Sequence, residues 1–179
     1  CQLGEQHYVD FTDISSANGI FQVVSQRNTD MQQLVEDPNQ LAMWGLDAAY
    51  DTPSDLPPAQ RASSVTMNHV VQNLLDFSQM TTAIELSGVY PSVDIDGNPI
   101  TLSGKVILPA KEPIKRYILV SHYTIASNAE APSNIFSLEG LLVKLGYALI
   151  IPDYIGYGVT ADLVHPYLVM DVTARNVLD

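Results

Sequence analysis

An α/β fold is predicted by three features of this 179-residue sequence. Residues 117–120 and 148–151 are short apolar runs of buried-strand type. Between them, residues 133–145 carry Ile135, Leu138, Leu142 and Leu145 on one helical stripe, opened by Pro132 and Ser133 and stopped by Gly146. Upstream, the strand-like segments 84–90 and 100–108 flank a turn cluster at 94–99. Two strands joined by a helix pair in parallel through a crossover and need cover on both faces. Two strands joined by a tight turn pair antiparallel. The expected core is therefore a partial sheet, an antiparallel hairpin plus a parallel strand–helix–strand unit, preceded by a helical N-terminal segment.

The elements follow in order. Residues 21–24 read as a short strand or the start of a helix, and 28–35 and 40–49 as short helices separated by Asp37-Pro38-Asn39. Residues 51–58, rich in proline and aspartate, form a loop. Met67, Val70, Val71, Leu74, Leu75 and Ser78 share one face of a helix that Ser63 or Ser64 caps. This divides the chain into 1–80, a tether and helical segment, and 81–179, the sheet-bearing part. Residues 166–178 read as a last helix, with Tyr167, Met170, Ala174 and Val177 in register and Pro166 in its first turn.

Composition narrows the function. A net charge of −12, from 20 acidic and 8 basic residues, disfavours nucleic acid and docking to anionic membranes. No apolar run reaches the ~18–20 residues of a membrane-spanning helix. The single cysteine, Cys1, excludes an internal disulfide framework and a thiolate zinc site. A chain numbered from cysteine is similar to a mature bacterial lipoprotein, with lipid on Cys1 and residues 2–6 as a tether. That implies a secreted or cell-envelope protein, an outer-membrane lipoprotein whose membrane contact is the anchor alone. His7, His69, His122 and His165 lie far apart, without an H-x-x-x-H pair. Asp94 opens an acidic turn, but Lys105 stands where a calcium loop needs its twelfth-position glutamate. Gly156-Tyr157-Gly158 lacks the third glycine of a dinucleotide fingerprint, Ala161 standing there. No cofactor is expected.

In parallel sheets the ligand site lies at the carboxyl ends of the strands, here the His122-Tyr123-Thr124 loop and the loop from Asp153 to Gly158. A strand ending in His-x-x, a helix, and a strand ending in PDYxGxG resembles the first half of an α/β-hydrolase. The likeness is to secreted bacterial esterases and lipases of the secretory-lipase type. AIELSGVYPSVDIDGNPITLSGKVILP resembles the opening hairpin of that fold, so the resemblance covers residues 83–179. It implies a serine hydrolase acting on an ester, with Thr124 N–H as an oxyanion donor and Tyr123 standing where many relatives carry glycine. Tyr154 and Tyr157 are either pocket wall or ordinary half-buried packing, with Asp153 in the second case a backbone cap. His165 either lines the substrate site or shapes the start of the helix; a triad with Asp162 or Asp153 would lack a nucleophile elbow. His122 is a structural strand-end histidine or, less simply, a proton-transfer group.

The family's nucleophile sits in G-x-S-x-G, and no serine here fits: Ser87 and Ser103 are followed by glycine but have Glu85 and Thr101 two places before. Asp179 falls in what resembles the helix before the nucleophile strand, so serine, acid and histidine are expected beyond it. The chain is then part of an enzyme, inactive alone. In the hydrolase sheet the strand at 117–120 pairs on its far side with a later strand, so an open edge is expected to favour self-association or a complementary C-terminal half. The alternatives are a non-catalytic surface lipoprotein that binds or assembles through that edge, and an enzyme truncated in preparation.

Overall fold

The hairpin predicted around the Asp94 turn is the longest feature of the sheet. The structure, a computed structural model, describes residues 9, 20–46, 72–77 and 82–179. Strand β1 (Gln22–Asp30) leads into helices α1 (Met31–Glu36) and α2 (Pro38–Met43). Then come β2 (Thr82–Val93), β3 (Pro99–Pro109), β4 (Arg116–Leu119), β5 (Tyr147–Pro152) and helix α3 (Met170–Leu178). The five strands form one sheet in the order β1-β2-β3-β5-β4. β2 and β3 pair antiparallel from Ala83↔Pro109 to Val93↔Pro99, β3 and β5 antiparallel, and β5 and β4 in parallel. The fold is the expected α/β class, with the crossover strand β5 seated between the hairpin and β4.

The hairpin turn closes on Asp94, whose Oδ1 accepts the N–H groups of Asp96 (2.9 Å) and Asn98 (2.8 Å). Those donors, Asn98 first, hold the Asp94 carboxyl below the usual carboxylate range. Gly97 takes φ +81°, which the turn requires.

The sheet has two different faces. On one, Tyr90 and Leu102 meet Val172 of α3 and Ile155, with Phe21 and Ile100 packed around them. Asn176 of α3 fastens the helix here: its side-chain Nδ2 donates to Ser92 Oγ (2.8 Å) and Val93 O (3.0 Å), and its main-chain carbonyl accepts from Tyr90 Oη (2.7 Å). The other face carries the cross-strand set Glu85, Ser87, Val89, Ser103, Lys105 and Ile107, all buried, with Ser87 and Lys105 under residues 133–135 and Ser103 under residues 153–159. Lys105 Nζ lies 2.6 Å from Glu85 Oε1 and donates to Ile135 O at 2.8 Å. Arg27 Nε stands 3.7 Å from the other Glu85 oxygen.

The crossover departs from expectation. Residues Leu138–Leu145 form a 3-10 helix, and 131–135 a turn, instead of an α-helix over 133–145. The sheet takes a carbonyl that a helix over 133–145 would use internally, Ile135 O on Lys105 Nζ, while Ser133 N–H, free at any helix start, goes to the Asp153 carboxyl (2.8 Å). The tighter three-residue turn also changes which side chains face inward. Phe136, Leu141 and Val143 are buried with Ile135, while Leu138 and Leu145 are exposed. Gly146 ends the segment as expected, at φ +80°.

Among the described residues the strand at 116–119 is the expected open edge, with Tyr117 and Leu119 exposed because β5 covers one side only. Two further readings are corrected. The last helix starts at Met170, not in a turn beginning at Pro166, because Leu168 sits at φ +63° and interrupts any earlier helical path. Its stripe of Met170, Ala174 and Val177 faces away from the core, and Val172 and Asn176 are the buried positions.

The chain groups into two compact units, residues 1–5 with 29–82 and residues 6–28 with 83–179. In the first unit Asp30 caps α1 and Asp37 caps α2, each side chain accepting backbone N–H groups. Among its described residues, Met31, Leu34, Val35, Leu75 and Phe77 are buried and apolar. Strand β1 occupies positions read as strand or helix start at 21–24 and as helix from 28, and α2 ends at Met43 within the expected 40–49 helix. Cys1, His7, Ser63, Ser64, Met67, His69, Val70, Val71 and Ser78 lie outside the described residues.

Candidate functional site

The carboxyl ends of β4 and β5 open onto a cleft of about 650 Å³. Its lining includes Thr124, Tyr154, Tyr157, His165, Tyr167 and Met170. Adjacency of the two parallel strands places the loops after them side by side, and the path from 161 to 169 brings His165 and Tyr167 to the same edge.

The rings form one connected cluster. His122 lies on Tyr154 with centroids 4.3 Å apart and meets the edge of Tyr157 at 6.0 Å. His165 contacts Tyr157 at 5.2 Å and the edge of Tyr167 at 5.6 Å. Tyr154 is buried at φ +69°, a conformation a tyrosine adopts at a cost, held here by the packing of its ring against His122.

Each polar atom has a traceable place. His122 Nδ1 lies 2.6 Å from Tyr123 O and Nε2 3.1 Å from Asp153 O, so both nitrogens face main-chain carbonyls. His165 Nδ1 lies 2.6 Å from Ile155 O. Tyr157 Oη donates to Ile125 O (2.9 Å), and Thr124 Oγ1 shares a 2.7 Å hydrogen bond with Tyr167 Oη. Burial, then the neighbouring Tyr167 and Glu130, push the Tyr157 hydroxyl pKa up, so it stays a neutral donor. Tyr123 is largely exposed at the rim. Thr124 is exposed, and no acceptor among the described residues takes its backbone N–H.

Beneath the cleft lies a lock in which Asp153 caps backbone, as its sequence reading allowed, and also binds a serine that reading did not include. Asp153 is fully buried, and its carboxyl accepts Ser103 Oγ (2.6 Å) and Ser133 N–H (2.8 Å). Ser103 Oγ in turn accepts Val159 N–H at 2.9 Å. Asn128 Oδ1 takes Gly158 N–H at 2.7 Å. These bonds tie the 153–159 loop to β3, so the wall formed by Tyr154 and Tyr157 is fixed by a serine fifty positions upstream. The only sequence signal was the aspartate directly after β5.

The structure therefore brings Tyr123, Thr124, Tyr154, Tyr157 and His165 to one cleft and adds Tyr167 and Met170, which had been read only as helix-face residues. Both described histidines bond to main-chain carbonyls and not to a serine hydroxyl. Among the described residues no group of His, Cys, Asp or Glu has the geometry to hold a metal ion.

No protein-family model matches the chain, and no curated protein sequence does. A crystal structure of a provisionally named hydrolase from Legionella pneumophila is similar at 23% identity, with a TM-score of 0.47 over 55% of this chain and 28% of that one. The chain thus spans less than a third of that protein's length.

Proposed function

We propose that this cleft is the ester-binding side of a serine-hydrolase-type active site, and that residues 83–179 supply the oxyanion donor and the pocket wall. The nucleophile, acid and base come from chain outside these 179 residues. The observation that carries this reading is the Thr124 N–H, without an acceptor among the described residues, at the mouth of an aromatic-walled cleft at the strand ends. The sheet supports it: an antiparallel hairpin joined with a parallel strand pair is the combination the resemblance implies. A donor fixed where an oxyanion forms lowers the barrier, and losing one costs ~10²–10³ in kcat.

The test uses p-nitrophenyl butyrate. The 179-residue chain alone is expected to hydrolyse it no faster than buffer. In the protein as its native cell produces it, Thr124→Pro removes the N–H and is expected to cut kcat about a hundredfold with little change in KM, while Thr124→Val leaves kcat near wild type. Enzymic turnover by the short chain, or equal rates for the proline and valine variants, would overturn the assignment.

A second reading, a non-catalytic surface protein that assembles through its sheet edge, is favoured by the exposure of Tyr117 (71%) and Leu119 (43%) on edge strand β4. An unpaired apolar edge templates pairing with another chain. Sedimentation velocity of the chain is then expected to show a mass that rises with concentration, and Leu119→Lys to return it to monomer. A constant monomer mass at every concentration removes this reading.

A further inference from the structure

The chemistry of the cleft lining defines a ligand class. Among the described residues no Lys, Arg, Asp or Glu lines it, so a charged ligand finds no counter-charge among them. A net charge of −12 further disfavours anions. What lines it instead is rings: four of the chain's nine tyrosines and two of its four histidines. α3 adds Met170, Ala174 and Val177, a thioether and two small apolar side chains that suit the edge and face of a ring.

One polar atom stands ready among these rings. His165 lies with Nδ1 2.6 Å from Ile155 O, and a carbonyl accepts only, so Nδ1 carries the hydrogen. In the neutral imidazole Nε2 then presents a lone pair, and no described residue donates to it. Gly156 keeps this histidine close: a Cβ there would meet the backbone N and Cα of His165 at 2.7 and 2.8 Å. The acceptor is thus oriented by the same loop that supplies Tyr154 and Tyr157.

We propose that the cleft binds a neutral aromatic ring bearing a hydroxyl, packed against Tyr157, Tyr167 and Met170, and that His165 Nε2 accepts the hydroxyl hydrogen. The inference rests on the ester-binding reading only in making that ring part of the ester; recognition of the ring needs no hydrolysis.

Titrations of the 179-residue chain followed by amide ¹H–¹⁵N correlation spectra, with p-cresol, toluene and methylcyclohexanol as probes, test this. p-Cresol is expected to shift the amides of Thr124, Tyr157 and Ala174 and to bind about tenfold more tightly than toluene, which lacks the hydroxyl, or methylcyclohexanol, which lacks the ring. His165→Leu is expected to bring p-cresol down to the affinity of toluene, and His165→Gln, which keeps an acceptor, to retain part of the difference. Equal affinities of wild type for p-cresol and toluene overturn the hydroxyl contact, and this comparison stands even where a histidine variant does not fold. Equal affinities for p-cresol and methylcyclohexanol overturn the ring site. p-Cresol binding without esterase activity in the native protein refutes the ester reading and leaves the ring site; esterase activity without a ring or hydroxyl preference does the reverse.

Discussion

Lys105→Met is expected to lower the unfolding free energy by about 3–5 kcal/mol, the range for breaking a buried ion pair by removing one partner. Lys105 and Glu85 stand on adjacent strands, on the face covered by residues 131–145, with side chains 6% and 4% exposed. Methionine matches the lysine stem in length, so the loss is electrostatic and not a cavity. It strips Glu85 of its 2.6 Å partner and leaves Arg27 at 3.7 Å, and it also removes the donor to Ile135 O. Urea unfolding followed by circular dichroism measures the change, and a loss under 1 kcal/mol would refute the buried pair. Replacing both partners, Glu85→Leu with Lys105→Met, is expected to recover most of the loss, because two charges no longer need solvation by one another.

The same pair sets an alkaline signature. Burial pushes the Lys105 pKa down, against the opposing pull of Glu85. A lysine with a folded pKa below its unfolded value of 10.5 holds fewer protons folded than unfolded between the two. Stability in that window therefore rises with pH towards 10.5, and the full cost of the buried cation is present below the folded pKa. Tyr90 acts in the opposite sense: burial raises its pKa, so stability is lost as pH climbs above 10. Comparison with the double variant isolates the lysine, since Tyr90 is unchanged there and the rise is expected to vanish.

These residues mark where sequence reading reaches its limit. The alternation of β2 and β3 shows that Glu85, Ser87, Ser103 and Lys105 share a face. It does not show whether that face meets solvent, and polar residues on a hairpin read naturally as the wet side. Only the segments laid over it, residues 131–145 and the 153–159 loop, make them core. The hairpin itself was legible, because Asp94 and Gly97 determine the turn locally. So was the parallel pair, whose apolar runs depend on nothing distant. The crossover stripe failed because a 3.6-residue period was assumed where a three-residue turn forms. In the cleft, residues at the strand ends were found from topology alone. Tyr167 and Met170 were not, since their approach depends on Leu168 at φ +63°, which no local pattern marks.

Asp153→Ala is expected to cost at least ~3 kcal/mol and to dissolve the cleft wall together with the fold of its loop. The variant orphans two buried donors at once, Ser103 Oγ and Ser133 N–H. Asp153→Asn keeps an acceptor for Ser133 N–H but places an amide or its oxygen against Ser103 Oγ, which already accepts from Val159 N–H. Its expected cost is smaller, ~1–3 kcal/mol. Gly158→Ala attacks the same lock sterically: its Cβ would overlap Ser103 Oγ and the Asp153 carboxyl, at φ +58° where a side chain is strained as well. Neither neighbour can withdraw without breaking the hydrogen bond between them, so Gly158→Ala is expected to destabilise as much as Asp153→Ala. The two changes together should cost far less than their sum, since each destroys one shared structure. Thermal unfolding of both single variants and the double one checks this, and additive losses would mean that Asp153 and Gly158 act independently.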